Sequence, residues 1–278
     1  MRWQGGRRSG NVQDRRGRGG MMVGGGIGAV VITIVALLLG VDPDSIPTTG
    51  VAPADESAPG SPDQFQGVDD EADFISVVLA DTEDTWSAIF AERGTTYREP
   101  ELVIFDGVVQ SACGMAQSAV GPFYCPVDQQ LYLDLSFFRE LSERFGASGD
   151  FARAYVVAHE VGHHVQTLLG ISDEVRAAQA RSSQTESNAI QVRMELQADC
   201  LAGVWAHHAQ RERQVLEPGD IDEALGAAAA IGDDRLQRET QGRVSPESFT
   251  HGTSAQRSQW FRNGFESGDP DRCDTFAM

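Results

Sequence analysis

The segment AYVVAHEVGHHVQ, residues 154–166, places three polar side chains, His159, Glu160 and His163, inside an otherwise apolar run. A polar group removed from water costs free energy unless it finds a partner, so this segment needs something that compensates all three. The two histidines are four positions apart, about one helical turn, and therefore lie on one face of a helix. This is the H-E-x-x-H pattern, in which two imidazoles bind one zinc ion and the glutamate acts as general base. Chance occurrence is the alternative explanation, and the apolar context disfavours it.

A catalytic zinc site needs a third protein ligand and one open position for water. The later segment MELQADCLAGVW offers Glu195 and, one turn further on, Asp199. We predict that Glu195 is the third ligand, and that Asp199 accepts a hydrogen bond from the outer ring nitrogen of a ligand histidine. The alternative is that Glu195 and Asp199 are simply two acids exposed to solvent, and the apolar residues around them disfavour this. Gly162, inside the motif, predicts that a second element approaches this helix closely. His164 is expected off the ligand face, either at the surface or behind a ligand.

The chemistry expected of such a site is peptide hydrolysis. Zinc lowers the pKa of a bound water toward neutrality, and Glu160 can take its proton and pass it to the leaving amine. The developing oxyanion needs a further donor. The segment HGTSAQR supplies His251, the preferred catalytic candidate, and Arg257, a candidate for the oxyanion or the substrate. A structural or surface role for either residue stays open.

Residues 21–41 carry no charged side chain, and about 20 such residues suffice for a membrane-crossing helix. Six arginines precede this stretch and aspartates follow it, so the positive-inside rule places a basic tail, residues 1–20, in the cytoplasm. We therefore expect a single-pass anchor in the cell membrane, with the catalytic domain extracytoplasmic. A cleaved signal peptide is the alternative, and the poor cleavage site disfavours it. Residues 42–67, rich in Pro, Ser and Asp, predict a flexible linker before a folded domain at residues 68–278.

The chain carries a formal net charge of −19 although its first 20 residues are basic. The region that folds is therefore strongly acidic, which argues against a surface that binds nucleic acid. We expect a peptide or protein substrate, contact with the membrane through the N-terminal helix, and no nucleic-acid partner. The sequence leaves the oligomeric state open.

The four cysteines are Cys113, Cys125, Cys200 and Cys273. Disulfides persist in an extracytoplasmic domain. Cys113 and Cys125 flank a loop that contains glycine and proline and would close it locally, which leaves Cys200 to pair with Cys273. Free buried thiols are the alternative, and a zinc site of four cysteines fits poorly because no C-x-x-C pair exists.

The periodicity of apolar residues predicts an α+β domain in which helices dominate and the sheet is small. Helices are expected at residues 68–94, 136–146, 150–169, 188–211, 220–238 and 254–265, and strands at 101–109 and 129–138.

Seven segments together resemble the bacterial neutral zinc metallopeptidases, which are membrane-anchored and zincin-like. The segments are VQSACG, GPFYCP, LYLDLSFF, AYVVAHEVGHHVQ, ELQADCLAGVWA, HGTSAQR and CDTF. More distantly, ELQAD resembles the E-x-x-A-D segment of membrane zinc endopeptidases of the heat-shock and CaaX-processing types. The resemblance implies a zincin-like fold, one Zn²⁺ per chain and the same site residues. It also suggests that LYLDL is an edge strand on which an extended peptide could pair.

Two functions remain in competition at this point. The first is a membrane-anchored zinc metallopeptidase, most consistent with an endopeptidase. The second is a catalytically silent zinc-binding module for interactions in the cell envelope. A silent relative would be expected to have lost Glu160, and this chain retains it.

Overall fold

The computed structural model of the chain describes residues 1–17, 70–118 and 121–277. The predicted anchor at residues 21–41 and the predicted linker at 42–67 lie outside the described residues. Among the helices that are described, none combines the length and the apolar character needed to cross a membrane. One compact unit contains both the N-terminal residues and the main body of the chain.

Helices dominate this unit, as the sequence predicted. The helices are α1 (Asp70–Glu92), α2 (Ser136–Glu143), α3 (Asp150–Leu168), α4 (Ile171–Gln179), α5 (Gln184–His208), α6 (Asp220–Ala230), α7 (Asp233–Gln241) and α8 (Ser254–Ser267). A π-helical turn follows α5 and 3-10 turns follow α7 and α8, at Ala209–Arg213, Pro246–Ser248 and Pro270–Cys273. Capping boxes at Ser183 and Thr253 satisfy the free backbone N–H groups where α5 and α8 begin.

Two small sheets accompany the helices in the described part of the chain. The strands are β1 (Val12–Asp14), β2 (Glu101–Phe105), β3 (Val108–Ser111), β4 (Gly114–Gln117), β5 (Phe123–Cys125) and β6 (Gln130–Asp134). The larger sheet has the order β1-β2-β6-β5, with β5 antiparallel to β6 and the other pairs parallel. Strands β3 and β4 form a separate antiparallel hairpin. The predicted strand at 101–109 is therefore divided, because the chain turns at Gly107 with a φ of 73°.

The expectation that LYLDL is an edge strand is wrong. This segment forms β6, which lies inside the sheet between β2 and β5. Leu131, Tyr132 and Leu133 are all buried, and a strand that is apolar on both faces suits the interior of a sheet. The edge on this side is β5, a strand of three residues.

The predicted helix at 220–238 is two helices, α6 and α7, with a break at Ile231 and Gly232. Gly232 has extended backbone angles, and a Cβ atom added to it would lie 2.4 Å from the backbone nitrogen of Ser254. The helix is interrupted here because the start of α8 packs against this backbone. This is a tertiary contact, which the periodicity of the sequence does not show.

Helix α3 runs through the core and packs against α1, α5 and α6. A Cβ atom on Gly162 would lie 3.0 Å from the carbonyl oxygen of Ala198 in α5, which confirms the predicted close approach. Helices α5 and α8 approach even more closely, since a Cβ atom on Gly203 would lie 2.0 Å from the carbonyl oxygen of Phe261. These contacts fix the spacing of the helices that carry the polar residues described below.

The N-terminal segment, residues 1–17, is packed onto this unit. Strand β1 pairs with β2, and Arg7 Nη2 lies 2.9 Å from Oε2 of Glu83, a buried residue of α1. The sequence assigned residues 1–20 to a separate basic tail, and in its described part this tail is instead an element of the domain. The physical reason is that its basic side chains have acidic partners in α1.

Both predicted disulfides are present. Cys113 and Cys125, with Cα atoms 5.8 Å apart, join the turn of the β3–β4 hairpin to the end of β5. Cys200 and Cys273, with Cα atoms 5.5 Å apart, join α5 to the 3-10 turn that follows α8. The second bridge therefore attaches the C-terminal residues to the helix that carries Glu195 and Asp199.

Candidate metal centre

Two neighbouring helices bring the predicted ligands together. His159 and His163 project from α3, and Glu195 projects from α5. The Oε2 atom of Glu195 lies 3.1 Å from Nε2 of His159 and 3.4 Å from Nε2 of His163. The ligand atoms of all three residues lie within 4.8 Å of one another. They therefore form one group around a common point.

These residues fit zinc in both spacing and chemistry. Ligand atoms on a tetrahedral zinc ion with bonds of about 2.1 Å are roughly 3.4 Å apart, close to the distances between Glu195 and the two histidines. Both ring nitrogens of His159 face carboxylate oxygens. Burial lowers the pKa of His159, but the charges of and hydrogen bonds to Asp199 and Glu195 outweigh burial and raise this pKa to about 10. A cation at this point would take the place of that extra proton.

Asp199 lies behind His159, as predicted. Its Oδ1 atom is 2.8 Å from Nδ1 of His159, and the Tyr155 hydroxyl group also donates to this oxygen. Arg257 donates to both carboxylate oxygens, from Nε at 2.8 Å and from Nη2 at 2.9 Å. Burial raises the pKa of Asp199, but Arg257 and His159 outweigh it and lower the pKa to about 2. Asp199 therefore stays ionised and holds the proton of His159 on Nδ1, which leaves Nε2 for a metal ion.

Two glutamines that the sequence did not single out contact the other two ligands. Gln166 places Oε1 2.8 Å from Nδ1 of His163, and Gln191 donates from Nε2 to Oε1 of Glu195 at 2.8 Å. Each glutamine is three or four residues from its ligand on the same helix, a spacing that places the two side chains on one face. That spacing is the signal by which they could have been found.

A cleft of about 600 Å³ opens beside the three ligands, and Glu160 lies in its lining together with them. Further residues of α3 and residues from β5, α2, α4 and α7 complete the walls. Many of these are apolar, among them Phe123, Tyr124, Phe137, Val156, Val175 and Leu236. The cleft therefore offers apolar surface next to Glu160 and a group of residues that could hold a metal ion, a combination typical of ligand-binding pockets.

His251 lines the same cleft from the loop before α8. Asp233 anchors this loop, because its Oδ2 atom accepts hydrogen bonds from three successive backbone N–H groups, those of Thr250, His251 and Gly252, at 2.8, 2.6 and 3.0 Å. Burial lowers the pKa of His251, but its hydrogen bond to Asp233 and the charge of Glu195 outweigh burial and raise the pKa. The side chain remains half exposed. The predicted catalytic role of His251 stays a prediction.

Arg257, the other donor candidate, occupies a different environment. Its side chain is buried, and its N–H groups point at Asp199, at the Tyr155 hydroxyl oxygen 3.2 Å away and at the carbonyl oxygen of Ile231 3.4 Å away. These contacts indicate that Arg257 holds Asp199 against His159. They do not favour the predicted contact of Arg257 with the oxyanion or the substrate.

His164 lies off the ligand face, as expected, but is not a surface residue. It is fully buried, with Nε2 2.6 Å from the carbonyl oxygen of Arg98 and Nδ1 3.1 Å from the Tyr124 hydroxyl group. Burial lowers its pKa to about 4, so the ring is neutral at pH 7. His164 therefore connects α3 to the edge strand β5 that lines the cleft.

The profile of a family described as "Putative neutral zinc metallopeptidase" matches residues 1–276. The chain belongs to this family. "Uncharacterized protein YpfJ" of Escherichia coli (strain K12) is 52% identical over 289 residues, which cover 100% of this chain and 99% of that protein. "Uncharacterized protein Mb2605" of Mycobacterium bovis is 45% identical over 254 residues, which cover 87% of this chain and 85% of that protein. No solved structure matches the chain.

Membership in the neutral zinc metallopeptidase family implies zinc as the metal, and the group of His159, His163 and Glu195 fits such an ion. The matched region also includes the N-terminal segment. The family profile therefore extends over β1 and the arginine-rich residues, as well as over the residues that line the cleft.

Proposed function

We propose that the protein is a zinc-dependent endopeptidase. The observation that carries the proposal is the convergence of His159, His163 and Glu195 at one point beside Glu160, in the wall of a cleft with apolar surface. The three ligands would hold one zinc ion per chain, and zinc bound there supplies a Lewis acid that lowers the pKa of water and polarises a carbonyl group.

The side chains of the cleft divide the remaining work. Glu160 removes a proton from the attacking water and returns it to the nitrogen of the leaving amine. His251, with its raised pKa and half-exposed ring, donates a hydrogen bond to the oxyanion. Asp199 and Arg257 hold His159 in one tautomer and one orientation, and they do not touch the substrate.

Strand β5 is the element on which we propose that the substrate binds. It is the edge of the sheet on the side of the cleft, and Phe123 and Tyr124 line the cleft. An extended peptide can add to such an edge through backbone hydrogen bonds while its side chains enter apolar pockets. The Cys113–Cys125 bridge and His164 hold β5 in place. We also propose that residues 21–41, which carry no charged side chain, bind the enzyme to a membrane from one side.

The mechanism is tested with the Glu160→Gln variant of the purified full-length protein. We expect this variant to retain zinc, measured by elemental analysis, and to lose hydrolysis of fluorogenic peptides by at least about a hundredfold. Glu174→Gln, an exposed position on α4, is the matched control and should leave both quantities unchanged. Cleavage by Glu160→Gln at the wild-type rate would show that the assigned general base is wrong.

The same assay separates the peptidase from a silent zinc-binding module. Zinc-loaded wild-type protein should cleave peptides that are blocked at both ends, because an endopeptidase requires no free terminus. A zinc-loaded protein that cleaves no member of a broad peptide library would favour the silent module. His159→Ala should lose both zinc and hydrolysis.

A further inference from the structure

Gln166 is a fully buried side chain three residues after the ligand His163. Its Nε2 atom donates to the carbonyl oxygen of Met194 at 2.8 Å and to Oε1 of Gln197 at 3.0 Å. Its Oε1 atom lies 2.8 Å from Nδ1 of His163. All the hydrogen-bonding atoms of this amide are therefore used inside the protein.

These contacts decide which way the amide of Gln166 points. The carbonyl oxygen of Met194 can only accept, so the nitrogen of Gln166 must face it. The oxygen of Gln166 must then face His163, and it can only accept as well. Nδ1 of His163 must carry a proton, and the lone pair of the neutral ring is left on Nε2, the atom that faces Glu195.

Gln197 extends this chain of hydrogen bonds away from the metal ligands. Its Oε1 atom accepts from Gln166, and its Nε2 atom donates to the carbonyl oxygen of Cys273 at 3.0 Å. Cys273 is bonded to Cys200, which lies three residues after Gln197 on α5. A covalent bridge therefore fixes the carbonyl group at which the chain of hydrogen bonds ends.

We propose that Gln166 and Gln197 are positioning residues for the metal site. They form a neutral relay, from the carbonyl group of Cys273 through both glutamines to His163, that fixes the tautomer and the orientation of this ligand. The inference rests on the proposed zinc site. Zinc content of the wild-type protein tests that site separately, so the relay can fail while the site stands.

The test compares three variants of the full-length protein by zinc affinity, measured in competition with a chromogenic chelator. Gln166→Leu should weaken zinc binding about 10- to 100-fold, the usual effect of losing an outer partner of a ligand histidine. Gln197→Leu should weaken it less, because Gln166 keeps its bonds to His163 and Met194. Gln237→Leu is the matched control: Gln237 is also a buried glutamine with both ends bonded, to Ser248 and Ser245, but it contacts no ligand. It should leave zinc affinity unchanged.

A spectroscopic measurement separates positioning from general support of the fold. In the cobalt-substituted protein, each ligand histidine gives a paramagnetically shifted signal from its Nδ1–H proton. In Gln166→Leu one of the two signals should be lost through exchange with solvent, while both persist in Gln237→Leu. Retention of both signals together with wild-type zinc affinity in Gln166→Leu would overturn the proposal. If that variant does not fold, Gln166→Met and Gln197→Leu give the same comparison.

A different observation carries a second inference, about the N-terminal segment. Glu83 is 1% exposed, and within the described residues Arg7, Ser9 and Asn11 of that segment all donate to its carboxylate. Arg8 forms an ion pair with Asp73 at 2.6 Å. Two of the arginines that the positive-inside rule counts are therefore paired with acids of α1.

We infer that the N-terminal segment and the body of the domain lie in one aqueous compartment. Neighbouring strands such as β1 and β2 are separated by about 4.8 Å, whereas the apolar core of a bilayer is about 30 Å thick. Strand pairing and the contacts to Glu83 cannot form across that distance. This inference replaces the predicted separation of a cytoplasmic tail from an extracytoplasmic domain.

The test places a single cysteine in the full-length protein, in cells, at Gly10 or at Asp173. Both positions are exposed, and an added Cβ atom at Gly10 would meet nothing within 4 Å. The native cysteines are all in disulfides, so the added thiol alone reacts. A membrane-impermeant maleimide should label both variants before permeabilisation or neither. Labelling of one variant before permeabilisation and of the other only afterwards would overturn the inference. Zinc content shows that each variant has folded.

Discussion

His159 and His163 lie one turn apart on α3, yet their outer ring nitrogens meet different partners. His159 contacts a buried carboxylate, Asp199, whose charge Arg257 balances. His163 contacts the neutral amide of Gln166. Both arrangements place the ring proton on Nδ1, so one requirement of metal binding is met in two ways.

The difference lies in what each arrangement needs from the fold. A buried ion pair is costly to form and much more costly to break, because removal of one partner leaves an unpaired charge. A chain of neutral amides has no such charge, and its cost of disruption is that of individual hydrogen bonds. We therefore expect changes to the ion pair behind His159 to lower both metal affinity and the stability of the whole domain. Changes to the amide chain behind His163 should lower mainly metal affinity.

The largest expected effect is that of Asp199→Asn. It leaves the buried guanidinium group of Arg257 without its partner, which should lower the free energy of unfolding by about 3–5 kcal/mol. It should also weaken zinc binding by up to about a hundredfold. Chemical denaturation and chelator competition measure the two effects. The double variant Asp199→Asn with Arg257→Met removes both charges and should recover part of the lost stability.

A smaller effect on zinc is expected when Cys200 and Cys273 are both replaced by Ser. The loop closed by this bridge spans 73 residues, so stability should fall by about 4 kcal/mol. Zinc affinity should fall by less than about tenfold, because the bond from Gln166 to Met194 still orients the amide. Zinc binding as weak as in Gln166→Leu would mean that the C-terminal residues, and not Met194, hold the relay.

The smallest effect is expected of Tyr155→Phe. The hydroxyl group donates to Asp199 and accepts from Arg257, and both partners keep each other after its removal. Stability should fall by about 0.5–1.5 kcal/mol, and zinc affinity should stay the same. A loss of zinc affinity comparable to that of Asp199→Asn would mean that Tyr155, rather than the ion pair, sets the orientation of His159.

The spacing of residues within single helices predicted the three metal ligands and Asp199. His159 and His163 are four positions apart, as are Glu195 and Asp199, and a helix converts such spacing into a shared face. The spacing of Gln166 from His163 is a local signal, but the relay beyond Gln166 crosses from α3 to α5 and then to Cys273. Its members are brought together by helix packing, which local spacing does not encode.

The ion pairs of the N-terminal residues could not be predicted from the sequence for the same reason, because they depend on tertiary packing. Arg7 and Arg8 precede the apolar stretch at residues 21–41, and composition alone therefore predicts that they belong to a basic tail. Their partners, Glu83 and Asp73, lie 76 and 65 residues away along the chain.

Strand β5 was missed for another reason, because three residues are too few to give a periodic signal.

Gly162 has a consequence for the size of the ion that the site accepts. The histidines and Glu195 belong to different helices, and the distance between those helices is set by a residue without a side chain, packed against Ala198. In Gly162→Ala the neighbouring helix would have to move by a few tenths of an ångström, and we expect this shift to lengthen the distance from Glu195 to both rings. Such a pocket would suit a cation with a larger radius, such as Cd²⁺, so the preference among metals depends on a residue that no metal touches.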